Sequence, residues 1–285
     1  MKISRRNILI ILVIGLWFGF RNCSILEFRM SDEELLTIAN ETGVPAQVVY
    51  TQVKGHRIRY FKAGADSLPK LICLHGSPSS LSGWKSIFAD TAFTRHYQVV
   101  AIDRPGYGYS DFGDVETDLQ KQIALIQPVV EELTGNSKSI IFGSSYGGPV
   151  AAQLAMNLPN RFSQLVLLSS SLQPHKEKTY WISYAMVLPV LKHLFPTTLR
   201  MASEEKLSHH QQLKTINNWQ KIKTEVLIIH GNKDDLIYYD NALYAKTQVK
   251  NAKKVKFITM NGKGHAIIFS QPAFLKTLLL QNLVK

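Results

Sequence analysis

Short apolar runs alternate with longer amphipathic stretches along most of the chain, and this alternation predicts the fold class. Six runs are almost continuously apolar, as expected for parallel strands buried on both faces of a sheet. They lie at 71–74, 98–102, 139–142, 164–168, 226–229 and 255–258. Helices are predicted at 82–90, 114–133, 147–157, 241–246 and 271–283. Alternating strands and helices are typical of an α/β fold with a mostly parallel central sheet and helices on both faces.

The pattern is different in the residues that precede this alternating region. Ser31 and Glu34 fit a capping box, which predicts a short helix within a linker over 25–47. The runs 48–53 and 57–61 then predict two strands joined as a hairpin. The core is therefore expected to begin at residue 48.

The alternation is interrupted over 172–222, which contains no buried strand and many aromatic residues. Pro189 and Pro196 are expected to divide this interval into short helices. Because functional loops lie at the carboxyl ends of parallel strands, we predict a short helical cap inserted over the sheet. The core then comprises 48–171 and 223–285. A helix pair that only packs on the sheet is the alternative.

The first residues have the pattern of an export signal. Lys2, Arg5 and Arg6 precede a 13-residue uncharged and largely apolar run at 8–20. The run is shorter than the roughly 20 residues that span a bilayer, and no small-residue cleavage site follows it. We predict an uncleaved signal-anchor over 1–24, with a cleaved signal peptide or a buried helix as alternatives. The basic flank places the domain on the non-cytoplasmic side, membrane-anchored or exported.

Charge and cysteine content narrow the classes of partner. The 285 residues carry a net charge of +12, part of it from a lysine cluster at 246–256. This charge favours anionic membrane surfaces or acidic ligands, although solvated lysines are the simpler interpretation. The chain lacks zinc-finger spacing and an aromatic-interleaved basic stripe, so nucleic acid is not a predicted partner. Cys23 and Cys73 form no disulfide framework, and no metal or cofactor is predicted.

The strongest chemical motif is the pentapeptide Gly143-Ser144-Ser145-Tyr146-Gly147. It has the form G-x-S-x-G and lies between a predicted strand and a predicted helix. A serine at such a tight turn projects its hydroxyl at the end of the sheet. Ser145 is therefore the candidate nucleophile, and a purely structural turn serine is the alternative.

A serine hydroxyl is a weak nucleophile unless a base removes its proton. In enzymes with this turn, the acid and then the histidine follow the serine along the chain. Of nine histidines, only His265 lies beyond the late strand at 226–229 and the acidic turn after it. Asp234 and Asp235 are both possible acids, and the spacing from Gly231 favours Asp234.

Acyl transfer also needs backbone N–H groups that stabilise an oxyanion. One is expected from Tyr146, the residue after the nucleophile. The other is expected from the loop after the first parallel strand, where Ser77 is the candidate donor and Gly76 lies beside it. His75 is predicted to brace this loop through hydrogen bonds.

Five motifs together resemble the α/β-hydrolase superfamily. They are HGSP at 75–78, DRPGYGYS at 103–110, GSSYGG at 143–148, HGNKDD at 230–235 and GKGH at 262–265. The resemblance extends from about residue 48 to the C-terminus, and it implies Ser145, Asp234 and His265 as nucleophile, acid and base. It also implies Ser77 and Tyr146 as oxyanion donors. The DRPGYGYS loop is expected to be mainly structural. The short cap leaves the pocket shape open.

The resemblance implies a carboxylesterase-like serine hydrolase that cleaves a small-molecule ester through an acyl-serine intermediate. A serine at position 145 excludes relatives that use an aspartate nucleophile, such as epoxide hydrolases. The alternatives within enzymes are a C–C bond hydrolase, a lysophospholipase and a proline iminopeptidase-like peptidase. The peptidase needs an acid that binds the substrate amine; the cap offers Glu177, Glu204 and Glu205. A hydrolase-fold ligand sensor and a catalytically degenerate membrane-tethered protein are the non-enzyme alternatives.

Overall fold

A computed structural model describes residues 7, 15, 17–19, 24–135 and 137–283 of the chain. These residues contain one eight-stranded sheet in the order β1-β2-β4-β3-β5-β6-β7-β8. Its strands are β1 (Ala46–Val53), β2 (His56–Ala63), β3 (Lys70–Leu74), β4 (Gln98–Ile102), β5 (Ser139–Ser144), β6 (Phe162–Leu168), β7 (Glu225–Gly231) and β8 (Lys254–Met260). β2 runs antiparallel to both of its neighbours, and the remaining neighbouring pairs are parallel. The predicted hairpin and mostly parallel sheet are confirmed.

Helices cover both faces and the carboxyl end of the sheet. They are α1 (Asp32–Thr42), α2 (Lys85–Phe88), α3 (Thr91–Thr94), α4 (Leu119–Thr134), α5 (Gly147–Asn157), α6 (Trp181–Val187), α7 (Thr197–Leu213), α8 (Asp240–Gln248), α9 (Ile267–Ser270) and α10 (Pro272–Asn282). Short 3-10 helices lie at Ser24–Glu27, Leu81–Trp84, Leu191–Leu194 and Trp219–Lys221.

Two helix predictions were wrong in extent. The helix predicted at 82–90 is a 3-10 turn followed by the single-turn helix α2. The helix predicted from residue 114 begins at Leu119, because the Asp118 carboxylate accepts hydrogen bonds from the N–H groups of Gln120 and Lys121 and so caps its N-terminus.

The core is divided between the two faces of the sheet, and alternate residues of each inner strand belong to different faces. In β3, Leu71 and Cys73 pack on the face covered by α1 and α10, whereas Ile72 and Leu74 pack on the face covered by α4 and α5. The strand β8 was predicted to be buried on both faces, but it is not. It is an edge strand, and its residues 254–256 are exposed, which leaves two lysines on the open edge.

The interval 172–222 contains α6, α7 and two 3-10 turns, and it joins β6 to β7. Pro189 follows α6, and Pro196 is the N-cap residue of α7, so both prolines separate helical segments as predicted. α6 and α7 pack against each other. The helices of this interval line a cavity that also contacts Ser77 and Tyr146 in the core.

Most of the predicted signal-anchor over 1–24 lies outside the described residues, as does Cys23. Within the part of the chain that is described, none of the helices combines the length and apolarity needed to cross a bilayer. The interval 25–47, predicted as a linker, places Leu35 and Ala39 of α1 in the core. Its helix starts with the expected capping box, in which Ser31 and Glu34 exchange hydrogen bonds.

Candidate active site

Three predicted site residues meet at the carboxyl edge of the sheet. Ser145 follows β5, Asp234 follows β7 and His265 follows β8. In parallel sheets this edge is where loops from neighbouring strands converge on a ligand. The three side chains form one hydrogen-bonded chain, although 120 residues separate Ser145 from His265.

Ser145 occupies a strained turn between β5 and α5. Its φ is +52°, in the left-handed region that residues with a side chain rarely adopt. Glycines at positions 143 and 147 permit this turn, because a side chain at either position would collide with the backbone. A Cβ on Gly147 would lie 2.1 Å from the Leu74 carbonyl oxygen, and a Cβ on Gly143 would lie 2.4 Å from the oxygen of Gly147. The turn thus holds the serine at the end of the sheet, at the start of α5.

The hydrogen bonds around His265 define its tautomer. Nδ1 lies 2.8 Å from Asp234 Oδ2, and Nε2 lies 3.1 Å from Ser145 Oγ. A carboxylate can only accept, so Nδ1 carries the proton and donates it to Asp234. Nε2 is then the acceptor for the serine hydroxyl. This is the arrangement in which an imidazole can remove a proton from a nucleophile.

Asp234 is held as a carboxylate by four donors. Oδ1 accepts from the N–H groups of Leu236 and Ile237, and Oδ2 accepts from His265. His230 Nε2 lies 3.2 Å from Oδ2 and 2.9 Å from the Ile237 carbonyl oxygen, so that nitrogen is a donor. Burial alone would raise the pKa of Asp234, but hydrogen bonds from His230 and His265 lower it below its usual value.

The neighbouring carboxylate has a different environment, since Asp235 is exposed to solvent. The spacing from Gly231 favoured Asp234 over Asp235, and the fold turns the Asp234 carboxylate towards His265. Sequence reasoning also missed His230 as a hydrogen-bonding partner of the acid. The available signal was its position four residues before Asp234 in HGNKDD.

The loop after β3 lies directly against the nucleophile. A Cβ on Gly76 would come within 2.8 Å of Ser145 Cβ, so this glycine permits the close approach. Ser77 lines the same cavity as Ser145 and His265. Tyr146 follows Ser145, but its ring is turned towards the cap, where the hydroxyl donates to Glu177 and the ring lies 4.0 Å from that of His209.

His75 braces this loop in a single protonation state. Its Nε2 accepts from the Arg104 N–H at 2.9 Å, and its Nδ1 therefore carries the proton that is donated to the Gly76 carbonyl oxygen at 2.7 Å. Burial, together with the charge of Arg104, lowers the pKa of His75 to about 3. The imidazole is therefore neutral at physiological pH, and its two hydrogen bonds hold the loop after β3 against the residues that follow β4.

A buried ion pair connects the cap to the same loop. Arg104 donates from Nη1 and Nη2 to the two carboxylate oxygens of Glu205 in α7, at 2.5 and 3.0 Å. Its Nε and Nη2 also donate to the carbonyl oxygens of His75 and Gly76. Both side chains are almost fully buried. A bidentate pair of this kind fixes direction as well as distance.

Tyr107 adds a second link between α7 and the loop. Its hydroxyl donates to Glu205 Oε2 at 2.9 Å, so it must accept its other bond from Ser77 Oγ at 2.7 Å. The DRPGYGYS loop is structural, as predicted, and its Tyr107 also connects Glu205 of the cap to Ser77 through hydrogen bonds. Glu205 lies 101 residues from Arg104, and no local sequence pattern marks the pair.

Two cavities lie at this end of the sheet and share Ser77, Pro78 and Leu236 in their walls. The first, of about 180 Å³, contacts Ser145 and His265 and is otherwise lined largely by apolar groups that include Trp84 and Phe269. The second, of about 270 Å³, lies under the cap. Its lining includes Tyr180, Ile182, Met186, Leu199, Ala202 and Lys206.

The fold and these side chains together define the class of protein. The strained serine turn and the order of Ser145, Asp234 and His265 along the chain match the pattern of the α/β-hydrolase fold. A family model described as alpha/beta hydrolase fold matches residues 69–201. The chain has this fold.

Individual relatives are similar over part of their length. The chain is 32% identical over 131 residues to the dihydrolipoyllysine-residue acetyltransferase component of the acetoin cleaving system of Cupriavidus necator, covering 46% of this chain and 34% of that protein. It is 32% identical over 124 residues to mouse (Mus musculus) epoxide hydrolase 4, covering 42% and 34%. It is also 32% identical over 117 residues to a 2-hydroxy-6-oxononadienedioate/2-hydroxy-6-oxononatrienedioate hydrolase of Paraburkholderia phymatum, covering 39% of each.

The matched regions span about a third of the length of the first two relatives. Among solved structures, a putative lipase from Acinetobacter baumannii superimposes with a TM-score of 0.65 at 20% identity. The superposition covers 87% of this chain and 92% of the lipase. At that identity the likeness shows the fold alone.

Proposed function

We propose that this protein is a serine hydrolase that cleaves carboxylic esters through an acyl-serine intermediate. The observation that carries the proposal is the continuous chain of hydrogen bonds from Asp234 through His265 to Ser145, which ends at a hydroxyl beside a cavity. A serine, a base and an orienting acid in this geometry are the parts that acyl transfer requires.

In the proposed acylation step, Ser145 Oγ attacks the ester carbonyl carbon while its proton passes to His265 Nε2. Asp234 stabilises the resulting imidazolium. The negative oxygen of the tetrahedral intermediate accepts hydrogen bonds from the backbone N–H groups of Ser77 and Tyr146. His265 then returns the proton to the departing alcohol. A water molecule, deprotonated by the same imidazole, releases the acid and restores Ser145.

Epoxide opening is a weaker proposal, although some relatives are named epoxide hydrolases. In the aspartate-nucleophile relatives, a carboxylate forms the alkyl-ester intermediate. A serine cannot form the same intermediate. The chemistry at position 145 therefore favours acyl transfer to a hydroxyl.

The peptidase alternative is disfavoured by the cap, because the acids considered for binding a substrate amine already have partners. Glu205 is paired with Arg104, and Glu204 is paired with Arg200 at 2.8 Å. Glu177 lies 3.0 Å from Lys206 and also accepts from Tyr146 and Ser171. The charged groups that line the cavity under the cap are Lys178 and Lys206, which would repel an ammonium group.

Cleavage of a carbon–carbon bond is the second candidate. It is supported by the partial similarity to the Paraburkholderia phymatum hydrolase, whose named substrates are dioates. The lysines in the cavity under the cap are also compatible with a carboxylate on the substrate. We place this candidate second because the ester reaction requires only the groups already described around Ser145.

The proposal is tested by labelling the full chain with a fluorophosphonate and mapping the modified peptide. We expect the label on Ser145, none on the Ser145→Ala variant, and an intact signal on Ser144→Ala, a matched control in the same motif. Steady-state rates on aryl esters and on a 2-hydroxy-6-oxodienoate then separate the two reactions. Unlabelled wild-type protein, or full ester turnover by Ser145→Ala, would rule out the proposed mechanism.

We also propose that residues 1–24 attach the domain to a membrane on its non-cytoplasmic side. The support is the basic flank followed by the uncharged run at 8–20. Protease protection of the domain in sealed spheroplasts or vesicles tests its side. Cleavage of the domain only from the cytoplasmic face would contradict the proposal.

A further inference from the structure

An unusual concentration of apolar side chains lies on the outer surface of the cap. Within residues 180–194, the large apolar side chains exposed to solvent are Tyr180, Trp181, Tyr184, Leu188, Val190, Leu191 and Leu194. Trp181 is 78% exposed and Val190 is 80% exposed. Single exposed apolar residues are ordinary, but a cluster of this size on one structural unit marks an interaction surface. Tyr180 also contributes to the lining of the cavity under the cap. We call these seven residues the cap patch.

The helix α6 explains how the patch is built. Its residues Ile182, Ser183 and Met186 line the cavity under the cap, so that side of the helix faces inward. Trp181 and Tyr184 are exposed on the other side. The outer face of a surface helix is normally polar, whereas this helix is apolar on both sides. Within the part of the chain that the structure describes, this outer side remains exposed to solvent.

The charges around the patch indicate the chemistry of its partner. Residues 172–196 contain three lysines, of which Lys176 pairs with Asp240, and a single acid, Glu177, whose side chain is buried. Lys178 Nζ lies 5.0 Å from the centre of the Tyr180 ring, and Lys192 belongs to the 3-10 turn that contributes Leu191 and Leu194. Trp, Tyr and Lys around an apolar surface are the composition of segments that lie at a membrane–water interface.

The patch is also in contact with one described residue of the N-terminal apolar segment. Trp17 belongs to the uncharged run at 8–20, and its Nε1 donates to the Leu194 carbonyl oxygen at 2.8 Å. Trp17, a described residue of this run, therefore adjoins the cap patch at Leu194. A surface that contacts the bilayer would extend from one to the other.

We infer that the cap patch docks onto the surface of an anionic lipid bilayer. The aromatic and aliphatic side chains enter the interfacial region. Lys192 and Lys178, which also lines the cavity under the cap, lie among the headgroups. A second copy of the chain is a poorer occupant, because pairing two such surfaces would bring like-charged lysines together and interfaces of this kind are depleted in lysine. Docking places the cavity under the cap on the bilayer side of the molecule.

The direct test uses the four tryptophans of the full chain, of which Trp84 and Trp219 are buried. In a Trp17→Phe variant, Trp181 is the exposed tryptophan. We expect phosphatidylcholine vesicles that contain phosphatidylglycerol and brominated acyl chains to quench its emission and shift it to the blue. The matched Trp181→Phe variant should lack the quenched emission of Trp181. Its remaining exposed emission comes from Trp17 and reports on the N-terminal segment.

A second measurement tests the whole patch by vesicle co-sedimentation. Replacing Trp181, Tyr184 and Val190 with serine should weaken partitioning into anionic vesicles by about tenfold or more. Phe274→Ser, which removes an exposed aromatic side chain from α10, is the control and should partition like the wild type. Circular dichroism and hydrolysis of a soluble ester establish that the variants are folded.

The inference does not depend on catalysis, since both readouts report binding. It is overturned if Trp181 is not quenched while the chain is bound to vesicles, or if neutral and anionic brominated vesicles quench Trp181 equally. It is also overturned if the patch is buried in a dimer in solution, which sedimentation would detect as a mass that the triple serine variant reduces to that of a monomer.

Discussion

The Glu205→Gln substitution isolates the charge that joins the cap to the loop beside the nucleophile. Glu205 accepts hydrogen bonds from both terminal nitrogens of Arg104, from the Tyr107 hydroxyl and from Gln122 Nε2. Glutamine has nearly the same shape, but it replaces one acceptor oxygen with a donating NH₂ group. That group must face other donors, and Arg104 is left buried without a neutralising partner.

Two physical arguments give the size of the effect. Removing one member of a buried, hydrogen-bonded ion pair costs about 3–5 kcal/mol. Burial alone would raise the pKa of Glu205, but the charge and hydrogen bonds of Arg104 lower it from 4.5 to about 2. At ~1.4 kcal/mol for each pKa unit, this shift corresponds to about 3 kcal/mol of stability. We therefore expect Glu205→Gln to lower the free energy of unfolding by about 3 kcal/mol at neutral pH.

The same shift gives the pH dependence of the loss. Because the pKa of Glu205 is lower in the folded state, its contribution is complete above the ordinary value of 4.5. The contribution disappears as the pH falls from 4.5 through about 2, since the carboxylate must then be protonated in the folded state as well. Wild type and variant should therefore differ most at neutral pH and converge in acid.

Urea denaturation followed by circular dichroism, at a series of pH values, measures both effects. Glu204→Gln is the control, because Glu204 lies in the same helix and pairs with Arg200 at a partly exposed position. We expect that variant to lose less than about 1 kcal/mol. Equal losses in the two variants, or a Glu205→Gln protein as stable as the wild type, would refute the reasoning.

Two further substitutions test the site itself, and a comparison of two variants tests its strain. Asp234→Asn removes the charge that orients His265, and kcat/KM on an aryl ester should fall by about four powers of ten; a loss under tenfold would contradict the role of the acid. Gly76→Ala places a Cβ within 2.8 Å of Ser145 Cβ, so kcat should fall by about a hundredfold while the melting temperature changes little. An unchanged kcat would show that the loop moves freely. Because Ser145 has a φ of +52°, Ser145→Gly should be more stable than Ser145→Ala by about 1 kcal/mol in urea denaturation; the reverse order would contradict a strained turn.

Much of the fold could be predicted from the sequence because its signals are local. β4 is continuously apolar and buried, and its observed bounds, Gln98–Ile102, are those predicted. The position of α5, Gly147–Asn157, was also predicted, since it follows directly from the glycine-flanked turn. The edge strand β8 was misjudged in burial because an apolar run does not reveal whether a strand has neighbours on both sides.

The residues of the candidate site could be predicted only in part from the sequence. The order of motifs along the chain was sufficient to nominate Ser145 and His265, since order is a property of the sequence. The spacing from Gly231 favoured Asp234 over Asp235, but the path of the turn, which brings the Asp234 carboxylate to the imidazole, is seen only in the fold. His230 was overlooked because its role depends on how the turn folds back upon it.

By itself, the sequence determined the strands, the serine turn and the apolar character of the cap. These follow from neighbouring residues, whose burial and backbone freedom are set by local composition. Only the tertiary structure decided that Glu205 pairs with Arg104, that Tyr107 bridges to Ser77, and that the apolar residues of α6 divide between a cavity and the outer surface. The physical reason is that such contacts join distant segments, and their energies exist only once packing brings those segments together.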